Sequence, residues 1–131
     1  MSNAEKQQKN LFLIGEEQEN LLHAAAAKSL PFAVKDGQVT IGAKTQPLAG
    51  KGFMYLYPSP FRGQNPEPVV VICAGLWYGH EVGPNHKFDL LPDFILYDDQ
   101  IDQDATSTNR FVCAGFFNAE WKLDEKLMWW N

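Results

Sequence analysis

Leu11-Phe12-Leu13-Ile14-Gly15-Glu16-Glu17-Gln18-Glu19 is the stretch from which the fold class is read. Its first four residues form a short continuous apolar run, the pattern of a strand buried on both faces. Gly15 ends the run. Glu16, Glu17 and Glu19 then place acid where the first turn of a helix would lie, which the helix dipole favours. Leu21, Leu22, Ala25, Ala26 and Ser29 or Leu30 recur at helical spacing, and Pro31 stops the helix because the residue before proline is pushed out of the α region. The chain is therefore expected to open as strand, tight turn, helix, a βα unit of Rossmann/flavodoxin-like order.

Working outward, Phe32-Ala33-Val34-Lys35 and Gln38-Val39-Thr40-Ile41 flank Asp36-Gly37, the preferred pair for a two-residue type I′ hairpin. That turn sets Val34 opposite Val39 and Phe32 opposite Ile41, with the apolar residues on one face. Gly42–Gly52 reads as a loop. Further strands are expected at Phe53–Tyr57, at Val69–Ala74 (the most β-branched run), at Asp93–Tyr97 and at Phe111–Phe117. A short helix is expected around Asn85–Leu91. The alike segments Val-Ile-Cys-Ala-Gly and Phe-Val-Cys-Ala-Gly read as two neighbouring central strands. Strands of this order with so little helix predict a small layered α/β (or α+β) domain with a mixed, mostly central sheet. Residues 1–10 read as a cloning scar (Ser2-Asn3-Ala4) and polar leader, 11–123 as one domain, and 124–131 as a C-terminal tail.

A chain of 131 residues suits one hydrophobic core. Its net charge of −5, with scattered Lys and Arg, argues against a non-specific nucleic-acid binder. No apolar run is long enough to cross a bilayer as a helix. Neither a nucleic-acid nor a membrane partner is expected, and compartment is not readable from these residues. Cys73 and Cys113 both lie in apolar runs, which fits free buried thiols better than a disulfide scaffold.

The motifs of catalysis fail at named residues. No serine sits in a Gly-x-Ser-x-Gly elbow, and Gly50-Lys51-Gly52 lacks the hydroxyl residue and first glycine of a phosphate loop. Gly15 is followed by glutamates, which would repel a pyrophosphate. His80 and His86, with Glu81 and Asp89, offer imidazole and carboxylate without a zinc spacing. Asp98, Asp99, Asp102 and Asp104 lack the glycine and glutamate of a calcium loop. No cofactor or metal is expected. The aromatic residues Tyr55, Tyr57, Phe61, Trp77 and Tyr78 lie at or just past strand ends, and Tyr57, Trp77, Tyr78, His80 and His86 are the candidate binding residues. Trp129 and Trp130 would form an apolar patch unless they fold back.

Tyr57-Pro58-Ser59-Pro60, Asn65-Pro66 and Val69-Val70-Val71 ending in Gly75 resemble a Tyr-Pro-Asn-Pro…Asn-Pro-x-x-Tyr-Val-Val-x-Asn-Ser-Gly pattern. That pattern belongs to the C-terminal region of exported bacterial hydrolases of the prolyl-oligopeptidase-like, α/β-hydrolase type. Leu91-Pro92-Asp93-Phe94 with Asp98 is similar to its Leu-Pro-Asp-Trp segment, and Gly115–Trp121 to its Gly-Phe-Phe-Asp-x-x-Trp. Leu13-Ile14-Gly15 with Asn20 is similar to its Leu-x-Gly-Asp-Pro-x-Ser-Asn turn. Cys73-Ala74 stands where the pattern has Asn-Ser, Ser59 where it has Asn, and Glu16-Glu17 where it has Asp-Pro. The resemblance implies a non-catalytic accessory domain that packs on, or gates, the catalytic domain of a larger polypeptide, outside the cytoplasm. It carries no catalytic residue onto this chain. The alternatives are a small-molecule or carbohydrate-binding module with an aromatic platform, and a metal-dependent enzyme at His80 and His86.

Overall fold

The computed structural model describes residues 1–77, 91–99 and 111–131. The helix expected around Asn85–Leu91 and the acidic loop beyond Asp99 lie outside them.

After a first helix, α1 (Asn3–Gln8), and strand β1 (Leu11–Ile14), the helix α2 begins at Leu21 and ends at Ala26. Its start is set by Asn20, whose Oδ1 accepts from the amides of Leu22 and His23. An asparagine there satisfies amides that have no partner inside the helix. The glutamates are thus not in the first helical turn, as their position suggested. They form the turn before it. The helical face also differs from the expected one: Leu21 is 90% exposed, whereas His23 is fully buried.

The hairpin follows the sequence. β2 (Ala33–Lys35) and β3 (Gln38–Ile41) pair with Val34 opposite Val39 and Lys35 opposite Gln38. Asp36 and Gly37 both take positive φ, 55° and 72°, as a type I′ turn requires. Part of the expected loop Gly42–Gly52 is instead a third strand, β4 (Lys44–Pro47), joined to β3 through Gly42 at φ 59°. These three strands form a small antiparallel sheet of their own.

The larger sheet has six strands, adding β5 (Lys51–Pro58), β6 (Val69–Gly75), β7 (Phe94–Asp98), β8 (Phe111–Phe117) and β9 (Leu123–Trp130), in the order β1-β6-β5-β7-β8-β9. β1 runs parallel to β6 and every other pairing is antiparallel. The expected tail is therefore an edge strand. Its pairing with β8 supplies hydrogen bonds to a segment whose charges, Asp124, Glu125 and Lys126, hide it from a hydropathy reading. The two Cys-Ala-Gly strands are not neighbours either, because β5 and β7 lie between β6 and β8.

One row of paired residues, Leu13–Ile72–Tyr55–Phe94–Gly115–Met128, crosses the six-stranded sheet on the face turned to the small sheet. Phe32, Val34, Val39 and Ile41 pack there, with Phe32 touching the rings of Phe53, Tyr55, Phe94 and Phe117 at 5.0–5.7 Å. Burial of aromatic and branched side chains on this scale is the main stabilising term. On the other face the next row is Ile14–Cys73–Met54–Ile95–Ala114–Trp129, apolar from one edge of the sheet to the other. Cys73 and Cys113 are buried free thiols. They stand on opposite faces, by the same alternation.

Candidate functional site

Tyr57 and Trp77 do not share a surface. Tyr57 pairs with Val70 near one end of the β5–β6 ladder, while Gly52 pairs with Gly75 at the other end and Trp77 lies beyond it. Five residues of strand put roughly 17 Å between those ends. A platform holding both rings is not formed. Tyr78, His80 and His86 lie outside the described residues, so no geometry bears on them.

Each ring has a different neighbour. Trp77, 49% exposed, packs on Phe12 at the β1 edge, with ring centroids 5.9 Å apart. Tyr57 meets Trp121 at 5.9 Å and Phe117 at 5.3 Å, both nearly edge-on. The Tyr57 hydroxyl donates to the Trp121 carbonyl at 3.1 Å.

Trp121 is the backbone outlier of this end. Its φ is +60°, which is costly for a bulky side chain without a glycine's freedom. The turn is imposed by Asn118, whose Oδ1 accepts from the amides of Glu120 and Lys122, while the Trp121 amide donates to the Asn118 carbonyl. The surroundings over-determine a conformation that Trp121 would not choose, a condition met most often at functional sites.

Tyr57 and Trp121 wall an open cleft of about 270 Å³, completed by Pro58, Pro60, Ser29, Ser59, Arg62 and Glu120. Ser59 is buried and its Oγ accepts from the Phe61 amide, so this serine holds its own turn. Among the described residues, no carboxylate pairs with the Arg62 guanidinium. Lys6 stands over the Phe61 ring at 5.6 Å, Lys28 adjoins Ser29, and Lys122 pairs with Glu120 at 3.8 Å. Arg62 is therefore the cation that lines the cleft, opposite in charge to Glu120.

Sequence reasoning named Tyr57 but missed Trp121, Arg62 and Glu120. Residues 57–60 and 115–121 are far apart in the sequence. In the fold those segments meet through Tyr57 and Trp121. A third, Leu91–Phe94, joins them where Asp93 Oδ2 accepts from the Phe117 amide at 2.9 Å.

Two buried polar groups also escaped the sequence. His23 Nδ1 lies 2.9 Å from the Gly15 carbonyl, which can only accept, so Nδ1 carries the proton and Nε2 is left unpartnered. The Tyr55 hydroxyl is buried without a partner, and its pKa is raised, first by burial and then by the nearby Glu17 carboxylate. Burial likewise pushes the Cys113 thiol up to about 11. Among the described residues, no three His, Cys, Asp or Glu side chains come together as a metal-binding group.

No protein family matches the chain, nor does any characterised protein or solved structure.

Proposed function

We propose that the chain is an accessory interaction domain of a larger bacterial hydrolase, docking on its catalytic domain through the exposed edges of the second face of the six-stranded sheet. The observation that carries this reading is the exposed apolar rim of that face, whose centre (Cys73, Ile95 and Ala114) is buried within the chain. Its edges expose rings and chains that water does not favour: Phe12 at 51%, Ile14 at 58%, Phe116 at 43% and Trp129 at 44%. Phe12 is paired with Trp77 and Phe116 with Trp129, so each edge presents an aromatic pair. Between them Met54, Leu56, Val71, Leu91 and Pro92 line a hollow of about 180 Å³, large enough to take one apolar side chain of a partner. Exposed apolar surface of this kind marks contact sites, and aromatic residues dominate their energetics.

The motif order along residues 11–123 supports the hydrolase as the partner, and an exported parent would place the domain outside the cytoplasm. The opening β1–turn–α2 unit is Rossmann/flavodoxin-like in its local order, supported by the parallel β1–β6 pairing. The test is calorimetric titration of the chain with the separately purified catalytic domain of its parent polypeptide. Phe12→Asp and Trp129→Asp, at exposed positions, are expected to weaken binding tenfold or more while leaving the fold intact. Serine-dependent esterase or peptidase turnover by the chain alone would overturn the reading.

A further inference from the structure

We propose that the cleft between Tyr57 and Trp121 is a binding site for an acidic sugar residue, a hexuronate-type ring whose apolar C–H face rests on the aromatic wall and whose carboxylate is taken by Arg62. This site is independent of the docking face, which lies on the other side of the sheet.

Three observations converge. The cleft, about 270 Å³, is at the small end for a ligand pocket, so it suits one ring and not an extended chain. Its polar groups are of the kinds a sugar acid needs. The Arg62 guanidinium, without a carboxylate partner among the described residues, can grip a carboxylate through two parallel hydrogen bonds. Ser29 and Glu120 can bond hydroxyls from the rim. The Tyr57 hydroxyl is already spent on the Trp121 carbonyl, leaving Tyr57 to act through its ring.

Charge decides between a neutral and an acidic ligand. The lining holds one cation, Arg62, and one carboxylate, Glu120, and Lys122 pairs with Glu120 at 3.8 Å. Arg62 is thus the charge left open to an anion. The third observation is the backbone of Trp121. A tryptophan fixed at φ +60° by Asn118 costs stability that Gly or Asn would not, and what it gains is a partly exposed indole in the same cleft lining as Arg62.

The probe is sodium glucuronate, titrated into the whole chain and followed through the indole N–H resonances, with glucose and a proline-rich decapeptide as comparisons. The Trp121 resonance is assigned by its absence in Trp121→Gly, a variant the positive φ accepts. Glucuronate is expected to shift that resonance saturably, with glucose at least tenfold weaker. Arg62→Gln should lose tenfold or more in glucuronate affinity without changing that for glucose. Arg62→Lys, which keeps the charge and loses the fork, should fall between and serves if Arg62→Gln folds poorly. The proposal is overturned by no saturation up to about 50 mM, well above a millimolar dissociation constant. Equal binding of glucose, an unchanged affinity in both Arg62 variants, or saturation of the Trp121 signal by the peptide alone would each overturn it as well.

Discussion

The Glu16 carboxylate accepts a hydrogen bond of 2.6 Å from the backbone amide of Gly37, at the tip of the β2–β3 hairpin. Glu17 does the same for Val34, and Gln18 for Asp36. The turn after β1 is therefore a clamp on the small sheet, holding it over the core. Acid at this point answers donors on the hairpin, and α2 owes its start to Asn20 instead.

Removal of this clamp is expected to cost stability. A hydrogen bond to a charged acceptor contributes about 1.5–3 kcal/mol. Glu16→Ala should lower the unfolding free energy in urea by about that amount, and Glu16→Gln, which keeps an acceptor, by less. Equal stability of all three proteins would show that the hairpin does not depend on the clamp.

At Trp121 the order of two small substitutions is informative. Both Trp121→Gly and Trp121→Ala lose the contacts with Tyr57 and Phe117, but only glycine is at ease at φ +60°. Reversing the usual ranking, the glycine variant should be the more stable by about 1 kcal/mol. Thermal melts of the pair measure it.

Alkaline pH should weaken the fold. Tyr55 and Cys113 are acids whose folded pKa values are raised by burial, Cys113 to about 11. The unfolded chain then releases its protons first as the pH rises. The Cys113 contribution is complete well below pH 9, where an ordinary thiol ionises, and is lost as the pH rises to about 11, while that of Tyr55 falls from about pH 10 upward. Tyr55→Phe removes a buried hydroxyl that has no partner, so it should be neutral or stabilising by up to about 1 kcal/mol and should flatten the alkaline limb. Urea midpoints at a series of pH values test both statements.

The two thiols should also be silent in the native state. Both are buried, and Cys113 stays protonated at pH 8. An aromatic disulfide reagent should report almost no thiol until urea unfolds the chain, and then two. Rapid reaction of one thiol in buffer would mean that its strand opens locally.

Much of the fold was legible because its signals are local. Asp36-Gly37 specifies a hairpin from four residues of backbone, and the runs at Phe53–Tyr57, Val69–Ala74 and Phe111–Phe117 are apolar enough to be central strands wherever they pair. β4 and β9 were not legible, because Lys44–Pro47 lacks any apolar alternation and Asp124–Lys126 reads as solvent-exposed. An outer strand pairs on one side alone and tolerates such residues. The candidate site was legible in one residue, Tyr57. Its partner Trp121 lies 64 residues away and was reached through a turn that Asn118 builds.

By itself, then, the sequence determined a mixed α/β fold rich in sheet, the hairpin register, the identity of the central strands and two buried thiols. These depend on turn chemistry and hydrophobic runs, which act over a few residues. Only the tertiary structure decided which strands lie side by side, that Tyr57 and Trp77 end at opposite sides of one ladder, that Glu16 and Glu17 grip the hairpin, and that Trp121 and Arg62 line one cleft. Each of these depends on strand direction and on hydrogen bonds between distant segments, and a linear pattern carries neither.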